Sequence, residues 1–160
     1  MAGFQMQPAQ LPSGGFPEGY ERDPGSDQTY YRGTPVTWDT SSQELDEHAL
    51  VTVVTNILGV SAEGVVAGVA ENPSDMVNVY LATRTTIFMA KLTDSSGDVV
   101  TADTANINVP YGLLKTGSGT SAVFSVDEDD TGTPVVEVIG IDTYRNIVYF
   151  KFMETAIQQI

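Results

Sequence analysis

From Thr34 onward the apolar residues of this chain come in short runs that alternate or are β-branched, and each run is cut off by Gly, Pro, Asn or Asp. A period of two over so few residues fits a half-buried strand and leaves a helix no continuous apolar stripe. Val77, Val79 and Leu81 alternate against Asn78, Tyr80 and Ala82, and Ile87 and Met89 against Phe88 and Ala90. Further runs lie at residues 99–100, 107–109, 122–126, 135–141 and 147–153. The last two flank Asp142-Thr143-Tyr144-Arg145-Asn146 and predict a closing hairpin. Many short strands at near-regular spacing predict a mainly β fold, a compact antiparallel β-sandwich or barrel.

Residues 34–70 are less uniform. Val36 and Trp38 share one face of a short strand after Pro35. Ser41 and Glu44 have the spacing of a capping box, and Leu45, His48, Ala49 and Thr52 line one face of a turn or two, which predicts a short helix, at most one in the chain. Residues 50–58, from Leu50 to Leu58, are β-branched and end at Gly59, which predicts a buried strand. Gly59, Gly64 and Gly68 among Ala and Val then suit close backbone approach or bulged strands better than a helix.

The first 32 residues differ in kind. Pro8, Pro12, Pro17 and Pro24 alternate with Gly3, Gly14, Gly15, Gly19 and Gly25, so the stretch cannot build a core of its own. It predicts an extended N-terminal arm over residues 1–32, ahead of a β-rich domain over 33–160. The arm still carries Phe4, Leu11, Phe16, Tyr20, Tyr30 and Tyr31, more apolar anchorage than a solvated linker has. These six are the candidate partner-binding residues.

Composition narrows the function. The chain has 160 residues, enough for one core without disulfides or a structural metal. Its 21 acidic and 7 basic residues give a net charge of -14, which repels phosphate backbones and anionic lipids and argues against direct nucleic-acid or membrane partners. Residues 1–4 show neither a basic nor an apolar leader pattern, and no apolar run is long enough to span a bilayer, so a soluble product without a secretion signal is expected.

Catalytic patterns are hard to assemble from these residues. Cysteine is absent and His48 is the single histidine, which removes thiolate sites, multi-histidine metal sites and Cys-His pairs. Beside Glu44, Asp46 and Glu47, His48 is expected to be solvated or capping. No Gly-x-Ser-x-Gly elbow occurs, and residues 64–68 lack the Lys-Ser/Thr ending of a phosphate loop. Asp127-Glu128-Asp129-Asp130-Thr131-Gly132 resembles the start of a calcium loop, but Val138 stands where the bidentate Glu belongs, so an acidic hairpin turn is the better reading. No catalytic, cofactor or metal residue is assigned, and the chain is read as a non-enzyme.

Three stretches carry a resemblance: residues 33–39 with Pro35 and Trp38, residues 57–70 beginning Ile57-Leu58-Gly59-Val60-Ser61, and the strand at 135–141. They resemble the small head-decoration, or cement, proteins of tailed bacteriophages. The resemblance implies that residues 33–160 form a capsid-binding domain and that the protein is made in the host cytoplasm and ends on the outer capsid surface of the virion. It further implies a major capsid protein as partner and a homotrimer that clamps adjacent shell subunits. A soluble adhesion or carbohydrate-binding β-sandwich, with Trp38, Tyr80, Tyr111 and Tyr149 as aromatic platforms, is the alternative. A hydrolase using Asp or Glu is a third class.

Overall fold

The alternating runs do form strands. A computed structural model describes residues 4–10, 24–25, 27–50, 54–70 and 76–159. Among them are β1 (Gln7–Gln10), β2 (Pro35–Asp39), β3 (Glu44–Glu47), β4 (Gly59–Ser61), β5 (Val65–Val66), β6 (Val69–Ala70) and β7 (Val79–Leu81). They are followed by β8 (Ile87–Thr93), β9 (Pro110–Thr116), β10 (Val123–Asp127), β11 (Val136–Asp142) and β12 (Ile147–Phe152). Two 3-10 turns, Thr104–Asn106 and Gly119–Ser121, are the helical elements among the described residues. The fold is mainly β and sandwich-like, with a strongly curved sheet on one side.

That curved sheet closes on itself. β8 pairs with β10, β10 with β9, β9 with β11, β11 with β12, and β12 returns to β8. Closure is tightest between β11 and β12 and loosest between β9 and β11, which pair only through Val136 opposite Tyr111 and Glu137 opposite Pro110. The β8–β10 contact is parallel, through Val126 opposite Leu92 and Asp127 opposite Thr93, while the other four contacts are antiparallel. Period-two alternation sends Phe88, Ala90 and Leu92 inward from β8, and Val148, Phe150 and Phe152 inward from β12. The rings of Phe88, Phe150 and Phe152 meet at centroid distances of 5.2–6.0 Å, in stacked and edge-on contacts. Burying each such side chain stabilises the fold by about 1.5–3 kcal/mol.

A second layer, ordered β3-β2-β4-β7, packs beside the barrel with the β5–β6 hairpin. It has its own core of Tyr30, Val36, Leu45, Leu58, Val65, Ala70, Val77 and Val79. Ile57, Val60 and Ala82 of this layer turn the other way, into the barrel core. The C-terminal tail stitches the layers together: the Ile57 N–H donates to the Ala156 carbonyl, and the Gln158 N–H to the Ile57 carbonyl, both at 2.8 Å. The Gln158 side chain accepts from the Trp38 N–H at 2.9 Å and donates to its carbonyl at 2.8 Å.

Several expectations change. Residues 44–47 are a strand, not the start of a helix. Leu45 is fully buried between half-buried Glu44 and Asp46, and its cross-strand partner is Trp38. Ser41 caps nothing helical: its N–H and hydroxyl both donate to Asp39 Oδ1 in a hairpin turn that Gln43 completes at φ 63°. Of the strand expected over 50–58, residues 51–53 lie outside the described residues; among the rest Ile57 makes a single bridge to Ile157, and the strand begins at Gly59. Val54, Thr55 and Asn56 are exposed, and Asn56 is left-handed at φ 68°. Residues 107–109 follow the first 3-10 turn instead of pairing as a strand, and residues 99–100 contribute a single bridge, Val99 with Thr93. The glycine-rich 59–70 stretch makes strands and a tight turn as expected: Ala67 and Gly68 have φ of 49° and 78°, suited to a two-residue hairpin loop.

The described ends of the N-terminal stretch are folded against the body. Met6 is 2% exposed in the barrel core, and β1 pairs with the first half of β8, where β10 does not reach. Pro8 is tolerated there because β1 is an edge strand. At the other end Pro24 bridges Leu45, and Tyr30 bridges Val65.

Candidate functional site

The six candidate anchors separate. Leu11, Phe16 and Tyr20 lie outside the described residues. Tyr30 is 1% exposed and belongs to the second core, so its ring is occupied within this chain. Burial, reinforced by the charges of Asp46, Glu47 and Glu63, pushes its phenol far up. Phe4 and Tyr31 are half-buried, Phe4 with its ring 5.7 Å from the Lys91 ammonium and Tyr31 with the Arg32 guanidinium 5.8 Å above it.

Phe4 lines a cleft of about 300 Å³ with Gln5, Arg32, Gly33 and Tyr80, where β1 meets the second layer. Gly33, at φ 85°, is needed there because a Cβ would come within 2.8 Å of the Met6 carbonyl oxygen. Gln5 Oε1 is buried at this cleft without a hydrogen-bond partner. A second groove, of about 340 Å³ and mainly apolar, runs between the layers along His48, Leu50, Leu113, Leu114 and Phe124. The Lys115–Glu47 ion pair spans the same seam.

His48 is not solvated, nor does it cap a helix. It is 4% exposed, and its Nε2–H donates to the Thr55 carbonyl at 2.7 Å, which leaves Nδ1 as a buried lone pair without a partner. Burial lowers its pKa, and the Thr55 hydrogen bond only partly offsets this. The acidic sequence neighbours misled because burial and the Thr55 carbonyl, and not Glu44, Asp46 or Glu47, set the surroundings of this imidazole.

In the acidic turn after β10, Asp127 and Asp130 direct oxygens to the turn's own backbone. Asp127 Oδ1 accepts from the Asp129 N–H, and Asp130 Oδ1 from the N–H groups of Gly132 and Thr133. Burial raises the Asp127 carboxyl, and burial with the Asp129 charge raises Glu128. Burial also acts to raise Asp130, but its hydrogen bonds from Thr133 and Gly132 prevail and hold it low. Among the described residues no cluster of three or more His or acidic side chains has the geometry of a metal site.

Of the four aromatic platforms, Tyr111 is buried at 6% exposure, its hydroxyl accepting from Asn106 Nδ2, so it offers no open face. Trp38 packs against the second core, while Tyr80 and Tyr149 are half-buried. The aromatic that sequence reasoning passed over is Tyr144, 95% exposed at the tip of the β11–β12 hairpin. No helix of the described residues is long and apolar enough to cross a membrane. Comparison with family models, with curated proteins and with solved structures gives no match.

Proposed function

We propose that the chain is a head-decoration protein of a tailed bacteriophage, a non-enzymatic part of the virion that binds the outside of the icosahedral capsid. It clamps adjacent major capsid protein subunits and acts as a trimer. The observation that carries this reading is spatial. Two of the three resembling stretches, 33–39 and 57–70, are neighbours in the second layer, where β2 pairs with β4 through Pro35 opposite Val60 and Val36 opposite Gly59. On its other side β4 needs Gly59 to pair with β7, since a Cβ would stand 2.2 Å from the Tyr80 carbonyl oxygen.

A ligand that binds only the assembled shell stabilises it by mass action, RT ln(1 + [L]/Kd) at each site. The net charge of -14 keeps free copies soluble before they attach. The test is co-sedimentation with undecorated heads, followed by the temperature at which decorated and bare heads rupture. Binding with a raised rupture temperature is expected; failure to co-sediment overturns the reading.

The cleft lined by Phe4, Arg32 and Tyr80 favours a carbohydrate-binding module as the second reading, because two aromatic rings beside planar polar groups suit a sugar ring. Glycan binding lost on Tyr80→Ala, without binding to heads, would select it.

A further inference from the structure

We infer that the apolar tip of the β5–β6 hairpin, residues 66–69, is a docking knob that seats in an apolar recess on the outer face of a major capsid protein subunit. The inference rests on the decoration reading and adds to it the element that makes contact. In this two-stranded ribbon Val65 and Ala70 turn into the second core, while Val66 and Val69 stand directly opposite each other, 48% and 56% exposed. Outward positions of a surface hairpin ordinarily carry polar side chains. Here both are aliphatic and pack into neither core. Thr, equally β-branched, would serve these strands as well.

The turn repeats the anomaly. Ala67 and Gly68 both have positive φ, 49° and 78°, in a place where hairpins favour Asn-Gly or Asp-Gly. In the left-handed region Ala brings its Cβ against backbone and lacks the local hydrogen bond by which Asn or Asp relieves that crowding. The tip is thus apolar at a conformational cost, the kind of strain that proteins keep at functional sites. No residue from 64 to 70 is charged.

The knob is also preformed. Val65 exchanges backbone hydrogen bonds with Tyr30 at 3.0 and 2.8 Å. Both turn N–H groups are occupied, that of Ala67 by the Thr29 hydroxyl at 3.0 Å and that of Gly68 by the Gln28 carbonyl at 2.9 Å. An element held in this way loses little freedom on docking. The Thr29 methyl would lie 3.7 Å from a Cβ at Gly119, which sets the 3-10 turn Gly119–Ser121 beside the hairpin, and residues 116–126 are uncharged as well. At the margin Asp27 is exposed, and the Glu63 carboxylate accepts from the Asn78 N–H and Nδ2 at 2.6 and 2.7 Å. An apolar centre with a polar rim is the anatomy of a protein interface, and Asp27 calls for a basic group at the edge of the recess. A bilayer fits poorly: the tip has none of the Trp, Tyr, Lys or Arg that anchor loops among headgroups, and the net charge of -14 repels anionic lipid. A second copy would set Asp27 against a chain of the same net charge.

Co-sedimentation of the full chain with undecorated heads over a range of concentrations tests this, with circular dichroism as the folding control. Val66→Ser combined with Val69→Ser should raise the apparent Kd about tenfold or more. Val99→Ser, at a valine 53% exposed and outside both cores, should leave it unchanged. Ala67→Asn suits the turn, so it should hold or raise the Tm while weakening head binding by about threefold or more, and it carries the test if the double change disturbs the hairpin. Unchanged binding by the tip variants overturns the inference and leaves the decoration reading standing, whereas absence of head binding by the unaltered chain removes both. Equal weakening by Val99→Ser also overturns it. So does flotation with phosphatidylcholine vesicles, or self-association of the free chain, that the double change abolishes, because the tip then belongs to lipid or to a second copy.

Discussion

The barrel and the second layer treat buried polar groups differently. In the barrel wall the buried Thr93 and Ser125 hydroxyls bond each other at 2.7 Å, and Asn106 bonds the Tyr111 hydroxyl. The buried side-chain atoms left without partners among the described residues are Gln5 Oε1, Tyr30 Oη, Thr34 Oγ1 and His48 Nδ1, and all four lie in the second layer or the segments laid against it. A buried polar atom without a partner costs about 1–3 kcal/mol. Strand length points the same way, since β8 to β12 run five to seven residues while β4 to β7 run two or three. The barrel is therefore the stable scaffold, and the second layer is the part that opens first.

The sharpest way to break this contrast is in the aromatic cluster. Phe150→Ala should lower global stability by about 3–5 kcal/mol, since Phe88 and Phe152 cannot close over the space left. Denaturant unfolding measures it, and a loss below 1 kcal/mol would show that the barrel is not the scaffold. Leu45→Ala should cost about 2–5 kcal/mol by the same cavity argument, but locally. Amide exchange should accelerate across β2, β3 and β4 while β8 and β12 stay protected. Equal acceleration in both would mean one cooperative body and no contrast to explain.

A finer cut goes through the stitch. Gln158→Ala removes two hydrogen bonds to the Trp38 backbone and should cost about 1–3 kcal/mol, read again as faster exchange in β2. No change in β2 would assign the joining of the layers to Ile57, Val60 and Ala82 alone.

The barrel was largely legible in the sequence and the second layer much less so. β8, β10, β11 and β12 announce themselves because their apolar runs are local and rich in β-branched and aromatic residues. β9 hides behind Pro110 and Gly112, which look like breakers. Gly112 is there because a Cβ would sit 2.0 Å from Asp130 Oδ2, a contact made by residues 18 positions apart. β3 has one apolar residue, Leu45, and its Ser41 to Glu44 spacing imitates a helix start. The mainly β fold therefore follows from the sequence, but the parallel β8–β10 contact and the closure by β12 are long-range. The Met89–Tyr149 contact is invisible for the same reason: only the register of β8 and β12 makes neighbours of these residues, 60 apart. For the N-terminal stretch, Pro and Gly announce extended backbone but not the surface it lies on, and Met6 and Tyr30 settle that by burial.

The smallest expected effect concerns acid, and it separates the two regions by sign. Burial lowers the His48 pKa below its ordinary value, so the folded state binds this proton more weakly than the unfolded chain does. His48 therefore supports the fold fully above the unfolded value of about 6.5, and that support falls away as pH drops toward the lower folded value. Asp127 and Glu128, at the end of β10, are shifted upward mainly by burial, so they take up protons more readily when folded. Their contribution improves as pH falls through their raised values. Asp46 in β3 is raised by burial and by Asp39, Glu44 and Asp27, and it moves with them, which opposes His48 within its own layer. The loss from His48 begins as pH falls below the unfolded imidazole value of about 6.5, where the unfolded chain starts to take up its proton. Between neutral pH and about pH 5.5, amide exchange in β2 and β3 should quicken while β10 holds steady. His48→Gln, which keeps a donor for the Thr55 carbonyl and cannot titrate, should abolish that quickening. If the substituted protein still loosens over the same interval, the acid sensitivity of the second layer originates in its carboxylates and not in the buried imidazole.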